Sequence, residues 1–151
     1  EELTGSLLDM GCGYGVIGAT LGKRYPGLSV VMSDVNERAV ELSRRNAQRN
    51  GVPTRVMQSD GYADVPFQRM DWIVQNPPIR AGKSVIYAMF AEGARRLEPS
   101  GELWLVIRKQ QGAESAVRYL KTLFGRVEAV SKKGGFWVLR CTQPAERPDE
   151  E

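Results

Sequence analysis

Glycine residues are closely spaced near the amino terminus, between Gly11 and Gly18, directly after Asp9. Glycine lets the backbone turn sharply and approach a ligand closely, and it can lead the chain into the amino terminus of a helix. Two motifs overlap in this segment, GxGxxG beginning at Gly13 and DxGxGxG beginning at Asp9. The segment therefore predicts a loop that wraps around a small ligand, and the glycine spacing alone fits two ligand chemistries.

Asp9, at the front of the loop, favours one of these chemistries. GxGxxG is typical of dinucleotide sites, and Asp34 lies near the right distance for a ribose hydroxyl. DxGxGxG is the pattern that holds S-adenosylmethionine, which carries a sulfonium and an ammonium group. Asp9 would repel a pyrophosphate and attract those cations, so we expect S-adenosylmethionine. In the alternative interpretation, Asp9 only caps the glycine turn.

Two more acidic residues follow predicted strands. Asp34 ends the second strand and fits a carboxylate that accepts hydrogen bonds from two ribose hydroxyls. Asp60 follows the third strand and is a candidate for the adenine amino group, since Gly61 permits a close approach, although Ser-Asp-Gly is also an ordinary turn. The full set of residues predicted to contact the cofactor is Asp9, Gly11, Cys12, Gly13, Gly15, Asp34, Val35, Asp60, Gly61 and Asn76.

The segment Asn76-Pro77-Pro78-Ile79 follows the fourth predicted strand and has a composition that random loops seldom show. The prolines fix φ and bias the preceding residue towards extended structure, so Asn76 is held rigidly where the sheet ends. The side-chain oxygen of Asn76 and a carbonyl oxygen such as that of Pro77 can accept both N–H groups of one planar amine. This arrangement suits methylation of an exocyclic or amide nitrogen and requires no strong base. We predict that these four residues are the catalytic segment.

Basic residues near the predicted site could bind phosphates, and the candidates are Arg80, Lys83, Arg108, Lys109, Lys132 and Lys133. Phosphate contacts give affinity without choosing a sequence. Residues 3–141 carry 20 basic and 12 acidic side chains, a net charge of +8, whereas the whole chain carries +3. A basic body of this kind suits an anionic partner such as RNA, although an ordinary solvated surface can have the same composition.

Alternating strands and helices must position these segments. Short apolar or β-branched runs predict strands, and longer amphipathic runs predict helices. The predicted strands span 7–10, 28–34, 55–58, 70–75, 102–107, 127–131 and 136–141. The first predicted helix ends near residue 25, and the other three span 37–50, 82–97 and 113–124. The alternation implies a doubly wound, mostly parallel α/β sheet that binds ligands at the carboxyl ends of its strands. The last two strands have no helix between them, so one of them must run antiparallel.

Length and composition exclude several classes of protein. The 151 residues suffice for one domain, predicted over 1–141, followed by a disordered acidic tail over 142–151. No apolar run approaches the roughly 20 residues of a membrane-spanning helix, so we expect no membrane partner. Histidine is absent, which excludes a Ser-His-Asp triad and the usual zinc sites, and we expect no metal. Two distant cysteines, Cys12 and Cys141, fit the reducing cytoplasm.

Together, the DxGxGxG motif, Asp34, Asp60 and the Asn76–Ile79 segment resemble class I S-adenosylmethionine-dependent N-methyltransferases in order and spacing. Residues 6–141 look like the methyltransferase small domain and are similar to small-subunit ribosomal RNA guanine-N2 methyltransferases, and the similarity extends through 80–83 and 132–136. The resemblance implies a seven-stranded Rossmann-like sheet whose last strand is antiparallel. It also implies S-adenosylmethionine as cofactor, S-adenosylhomocysteine as product, and methylation of a guanine amine in ribosomal RNA or the small ribosomal subunit.

By the same resemblance, the loop glycines line the methionine part of the cofactor, Asp34 takes the ribose, Asp60 takes the adenine, and residues 76–79 hold the target amine. Related families often place an aromatic residue after the two prolines to stack on a flipped base, whereas Ile79 lacks a π surface. A glutamine amide of a protein, an adenine amine, and an RNA-binding module with a vestigial cofactor pocket remain alternatives. The chain begins without methionine, and we expect that an upstream segment which helps to close the cofactor pocket is missing.

Overall fold

A computed structural model describes residues 2–77 and 81–145. Seven strands form one sheet: β1 (Gly5–Met10), β2 (Leu28–Asp34), β3 (Thr54–Gln58), β4 (Met70–Gln75), β5 (Leu97–Arg108), β6 (Phe124–Lys133) and β7 (Phe136–Pro144). Four helices lie between them: α1 (Val16–Arg24), α2 (Glu37–Arg49), α3 (Lys83–Arg95) and α4 (Ala113–Leu120). Within the described residues, no helix is both long and apolar enough to span a lipid bilayer.

The strands lie in the order β3-β2-β1-β4-β5-β7-β6. β1 to β5 pair in parallel, whereas β7 runs antiparallel to β5 on one side and to β6 on the other. The strand order reverses between β1 and β4, and open α/β sheets bind ligands beyond the carboxyl ends of the strands at such a point. The doubly wound sheet with its antiparallel C-terminal strand confirms the predicted fold class.

Helices cover the two faces of the sheet and bury one core on each. On one face, Met32 of β2 packs with Val40 of α2 in a cluster that also contains Ala19 of α1. On the other face, Ile73 of β4 packs with Phe90 of α3, and both side chains are fully buried. The helices leave part of the first face open, where Trp72, Trp104 and Val138 line a mostly apolar cavity of about 550 Å³.

The start of α2 follows from a side-chain cap. The Oδ1 atom of Asn36 accepts hydrogen bonds from the N–H groups of Arg38 at 2.9 Å and Ala39 at 3.2 Å, which satisfies two donors that the helix leaves free. The helix ends one residue before Asn50, and Gly51 follows with a φ of +66°. The boundaries predicted for this helix are therefore correct to within one residue.

The predicted helices over 82–97 and 113–124 end at least two residues early, and the strand that follows each of them begins earlier than predicted. The helix predicted over 82–97 ends at Arg95, and Leu97 begins β5. Two contacts explain this: the core buries Leu97, and the Met70 N–H donates to the carbonyl oxygen of Arg96 at 2.8 Å. The turn predicted over 99–101 lies within β5, as an irregularity in its pairing with β4. Likewise, the helix predicted to reach residue 124 ends at Leu120, and Phe124 starts β6.

The final strand extends beyond the predicted domain boundary at residue 141. β7 continues to Pro144, because Thr142 still pairs with Glu102 of β5 and Pro144 pairs with Phe124 of β6. Residues 142–144 are thus part of the sheet and not of the predicted disordered tail. Residues 146–151 of that tail lie outside the described residues.

Candidate active site

The glycine loop follows β1 and passes through backbone conformations that favour glycine. The φ angle is +76° at Gly11, +55° at Gly13 and +79° at Gly15. The carbonyl oxygen of Ser33 accepts hydrogen bonds from the N–H groups of Gly11 and Cys12, both at 2.9 Å, and this anchors the loop to the end of β2. The loop then leads directly into the amino terminus of α1, as predicted.

Gly11 lies against the backbone of Asn76. A Cβ atom at position 11 would lie 2.5 Å from the carbonyl oxygen of Asn76, so a larger residue does not fit without moving one of the two segments. The N–H of Asn76 in turn donates to the carbonyl oxygen of Met10 at 3.0 Å. The glycine loop and the predicted catalytic segment therefore meet directly where the strand order reverses.

Asp34 connects the glycine loop to α2. Its Oδ2 atom accepts a hydrogen bond from the N–H of Gly13 at 2.9 Å, and its Oδ1 atom accepts one from the N–H of Asn36 at 2.9 Å. Each carboxylate oxygen has further lone-pair capacity, so both can still accept from a ligand. The carboxylate is thus held in one orientation by the protein backbone alone.

Asp9 is buried beneath the loop and does not line a cavity. Its Oδ2 atom accepts a hydrogen bond from the N–H of Gly18 at 3.1 Å, which agrees with the interpretation that Asp9 stabilises the glycine turn. Burial raises the pKa of Asp9 from its ordinary value of 3.8 to about 6; the Gly18 N–H opposes this shift, and the nearby charge of Asp34 adds to it. At neutral pH the carboxylate is mostly ionised.

We expect Asp9 to lower the stability of the protein as the pH rises from about 4 to about 6. Because its pKa is higher in the folded than in the unfolded state, the folded protein binds more protons in this range, and the free energy of unfolding falls. The loss is at most about 3 kcal/mol. Urea unfolding at about pH 4 and about pH 7 measures it. Asp9→Asn keeps an acceptor for Gly18 but cannot titrate, so its pH dependence should be weaker; equal dependence in both proteins would contradict this assignment.

A buried polar network precedes Asn76 and fixes its position. The Nε2 atom of Gln75 donates to the hydroxyl oxygen of Tyr62 and, at 2.9 Å, to the carbonyl oxygen of Met89 in α3. Arg96 donates to the carbonyl oxygen of Tyr62 at 3.2 Å, and its guanidinium lies 4.9 Å from the centroid of the Tyr62 ring. The end of β4, the loop after β3 and α3 are therefore joined at this point.

A cavity of about 820 Å³ opens at the carboxyl ends of β1, β2 and β4. Asp34, Asp60 and Glu92 line it, whereas none of its described lining residues is Lys or Arg, and we call it the acidic cavity. Ser33 also lines it, and the Oγ atom of Ser33 is buried without a hydrogen-bond partner. Buried polar atoms are normally paired, so a polar ligand fits this cavity. Glu92 is already paired with Arg95 and Arg96, and the carboxylates of Asp34 and Asp60 are the ones that favour a ligand with positive charge.

A second cavity of about 320 Å³ adjoins the first one. Asn76, Pro77 and Ala81 line both cavities. Lys83 and Arg108 line the second cavity, which we call the basic cavity, and none of its described lining residues is acidic. Two cavities of opposite charge thus meet at the predicted catalytic segment.

The comparison with known families agrees with this fold. A family model described as "Methyltransferase small domain" matches residues 1–140. The chain belongs to this family. By family and fold it is an S-adenosylmethionine-dependent methyltransferase, as the glycine loop and the Asn76 segment predicted.

Two curated proteins and one solved structure are similar to the chain over most of its length. The Bacillus subtilis protein YbxB is 48% identical over 142 residues, which are 93% of this chain and 71% of YbxB. Ribosomal RNA small subunit methyltransferase C of Aeromonas hydrophila is 41% identical, over 90% of this chain and 40% of that enzyme. The T. thermophilus 16S rRNA N2 methyltransferase RsmC, solved in complex with AdoMet and guanosine, has a TM-score of 0.80 at 25% identity, over 94% of this chain and 38% of that one. The chain therefore spans about two fifths of the length of these two named enzymes.

The structure brings most of the predicted cofactor residues together. Those that line the acidic cavity are Gly11, Gly13, Asp34, Val35, Asp60, Gly61 and Asn76. Asp9, Cys12 and Gly15 do not line it and instead support the loop from below: Gly15 packs on Ser43, and the Cys12 thiol lies 3.3 Å from the Ser43 hydroxyl oxygen. Burial raises the pKa of the Cys12 thiol to about 11, so it stays protonated at neutral pH.

The predicted phosphate-binding residues divide into two groups. Lys83 and Arg108 line the basic cavity. Lys109, Lys132 and Lys133 are exposed and are not among its lining residues. Lys109 directly follows β5 and begins a short 3-10 turn, whereas Lys132 and Lys133 are the last two residues of β6. The Lys109 N–H donates to the carbonyl oxygen of Gly135 at 2.9 Å, which holds these two segments together.

The predicted catalytic segment is described only in part. Asn76 and Pro77 line both cavities. Pro78, Ile79 and Arg80 lie outside the described residues.

Three residues that shape the site are not predicted from the sequence. Tyr62 lines the acidic cavity, Gln75 holds it by a buried hydrogen bond, and Phe136 lines the basic cavity. Gln75 could have been predicted, because a glutamine at the last position of a buried strand must find hydrogen-bond partners for its side-chain amide. Phe136 stands next to a hairpin turn, and only the three-dimensional path of the hairpin brings it to the cavity.

Proposed function

We propose that this protein transfers a methyl group from S-adenosylmethionine to the exocyclic N2 amine of a guanine in small-subunit ribosomal RNA. One observation carries the proposal: an acidic cavity and a basic cavity meet at Asn76 and Pro77. The first suits a ligand with positive charge, and the second suits a segment of a polyanion. An enzyme of this kind works in the cytoplasm, as the cysteine content predicts.

The residues of the acidic cavity fit S-adenosylmethionine better than a dinucleotide. Asp34 and Asp60 would accept hydrogen bonds from ribose hydroxyls and from the adenine amine, and the loop around Gly11 and Gly13 leaves room for the methionine part. A pyrophosphate in the glycine loop would lie in a cavity that no described Lys or Arg residue lines, so its negative charge would be left without a partner. When bound, the cofactor supplies a methyl group on a positively charged sulfur.

Asn76 would hold and orient the amine that receives the methyl group. Its side-chain oxygen can accept one N–H of the amine, and a neighbouring backbone carbonyl oxygen can accept the other, which directs the nitrogen towards the acidic cavity. The same two oxygens stabilise the positive charge that grows on the nitrogen during transfer. A proton then leaves the methylated nitrogen for solvent, so no histidine base is needed.

Ribosomal RNA as substrate is supported by charge and by relatives. Lys83 and Arg108 supply cations at the basic cavity, and Lys109, Lys132 and Lys133 add exposed cations beside it. The A. hydrophila relative is named a ribosomal RNA small subunit methyltransferase, and the T. thermophilus structure is of a 16S rRNA N2 methyltransferase. Contacts to phosphates would give affinity, and the basic cavity would then select the base.

Substitution of Asp34 tests whether the acidic cavity binds the cofactor. We expect Asp34→Ala to weaken binding of S-adenosylhomocysteine by about 10- to 100-fold, the usual worth of hydrogen bonds to a charged group. Calorimetric titration measures this, with NAD as a second ligand that should not bind. Asp64→Ala is the matched control, because Asp64 is exposed and outside the acidic cavity. Binding of NAD, or unchanged affinity in Asp34→Ala, would contradict the assignment.

The substrate is tested by analysis of the product. Small-subunit ribosomal RNA or assembled subunits, taken from cells that lack this activity, are incubated with the protein and labelled S-adenosylmethionine and then digested to nucleosides. We expect the label in N2-methylguanosine. Label in a methylated adenosine, or in a glutamine of a protein of the subunit, would replace guanine as the target and leave the methyltransferase class unchanged.

A further inference from the structure

Phe136 offers an aromatic ring to the basic cavity. It is the first residue of β7, it pairs across the sheet with Arg108, and 42% of it remains exposed. The Arg108 guanidinium lies 5.0 Å from the centroid of the ring. A phenylalanine this exposed does not serve the core, and beside a cavity it provides apolar contact area for a ligand.

Tyr87 is the other aromatic residue among those described in the lining of this cavity, and its ring is already stacked. Its centroid lies 4.3 Å from that of Tyr119, with an angle of 7° between the planes. The Nζ atom of Lys83 lies 5.3 Å from the same Tyr87 centroid. Tyr87 thus belongs to a packed cluster, and Phe136 has the ring surface that a ligand can reach.

We propose that Phe136 stacks on the target base and makes the basic cavity selective for a nucleobase over an amide side chain; this inference rests on the proposed function. Enzymes that act on a base outside the helix hold it by stacking and by hydrogen bonds to its edge. The basic cavity has both parts, with Phe136 as a stacking surface and Asn76 as a hydrogen-bond acceptor. Phe136 thereby supplies the π surface that Ile79 cannot.

The charges around Phe136 suit the rest of a nucleotide. Arg108 and Lys83 line the same cavity from different elements, the end of β5 and the start of α3. Lys133 pairs directly with Phe136 across the hairpin and is exposed. A base stacked on this ring would therefore have cations near it that can bind the phosphates on either side of the nucleotide.

The test compares Phe136→Leu and Phe136→Tyr with the wild-type protein in methylation of small-subunit ribosomal RNA. We expect kcat/KM to fall by about 5- to 100-fold in Phe136→Leu, the effect of losing one base–aromatic stack, and to stay within about threefold in Phe136→Tyr. Phe67→Leu is the matched control. Phe67 is also exposed, and the Arg95 guanidinium lies 4.8 Å from its ring centroid, but Phe67 lines neither cavity. Thermal unfolding and binding of S-adenosylhomocysteine should be unchanged in all three variants.

Titration of guanosine 5′-monophosphate into the protein saturated with S-adenosylhomocysteine gives a second readout. Weaker binding in Phe136→Leu and recovery in Phe136→Tyr support the stacking role. If the wild-type protein methylates guanine and Phe136→Leu is equally active and binds equally well, the inference is overturned while the proposed function stands. If the wild-type protein neither methylates guanine nor binds the nucleotide, both are overturned together.

Discussion

Replacing Asn76 by alanine is expected to lower kcat for methyl transfer by about 100- to 1,000-fold, the range seen when a hydrogen bond that stabilises developing charge is removed. Asn76 lines both cavities, and in the proposed mechanism its side chain is where the amine and the methyl donor come together. The side chain is exposed, and the backbone N–H bond to Met10 remains in the variant, so the fold should be unchanged. The measurement is a single-turnover assay with ribosomal RNA, together with calorimetric binding of S-adenosylhomocysteine.

Two further variants separate the chemistry of Asn76 from a loss of shape. Asn76→Asp keeps an acceptor oxygen of the same size, so it should retain more activity than Asn76→Ala. Asn50→Ala removes an asparagine outside the site, at the end of α2, and should remain fully active. Wild-type activity in Asn76→Ala would remove Asn76 from the mechanism, whereas loss of cofactor binding in that variant would assign it to the acidic cavity alone.

Replacing Gly11 by alanine is expected to lower the free energy of unfolding by about 2–5 kcal/mol. About 1–2 kcal/mol comes from placing a Cβ atom at a φ of +76°, and a further 1–3 kcal/mol, roughly, comes from overpacking. The new Cβ atom would lie 2.5 Å from the carbonyl oxygen of Asn76, and a backbone atom cannot turn away as a flexible side chain can. Since the loop or the Asn76 segment must move, binding of S-adenosylhomocysteine should fall by more than about tenfold.

Gly51→Ala is the matched control for this substitution. Gly51 has a φ of +66°, and a Cβ atom at this position would meet no other atom within 4 Å, so the variant bears the backbone strain without the clash. We expect it to lose only about 1–2 kcal/mol and to bind the cofactor product normally. Urea unfolding of the three proteins gives the comparison, and equal losses in Gly11→Ala and Gly51→Ala would show that the contact with Asn76 costs nothing.

The parts of the fold that the sequence predicts well are those governed by local chemistry. The Asn36 cap and the apolar face of α2 define that helix by short-range rules, and the glycine loop is evident from its composition. The alternation of strands and helices, with a hairpin at the end, is sufficient to predict a mostly parallel sheet in which one of the last two strands runs antiparallel. The family resemblance adds that the last strand is the antiparallel one, and it adds a guanine amine in ribosomal RNA as the expected target.

The parts that sequence reasoning does not reach depend on contacts between distant segments. Leu97 continues a helical pattern, yet it begins β5 because Met70 offers a strand partner and the core buries it. Asp9 looks like a ligand-binding acid, yet the partner of its carboxylate is the N–H of Gly18. Phe136 reaches the basic cavity only because β7 inserts between β5 and β6, which no local pattern encodes.

The contact between Gly11 and Asn76 has a consequence for how such an enzyme can change during evolution. In the proposed mechanism, backbone atoms align the methyl donor and the methyl acceptor, through the close approach at Gly11 and the bond from Asn76 to Met10. Side chains that choose the acceptor, such as Phe136 and Arg108, belong to other strands and do not take part in that alignment. Substitutions in the wall of the basic cavity could therefore change the methyl acceptor without changing how the backbone aligns donor and acceptor. Such a scaffold suits lineages that diverge in substrate but keep the same reaction.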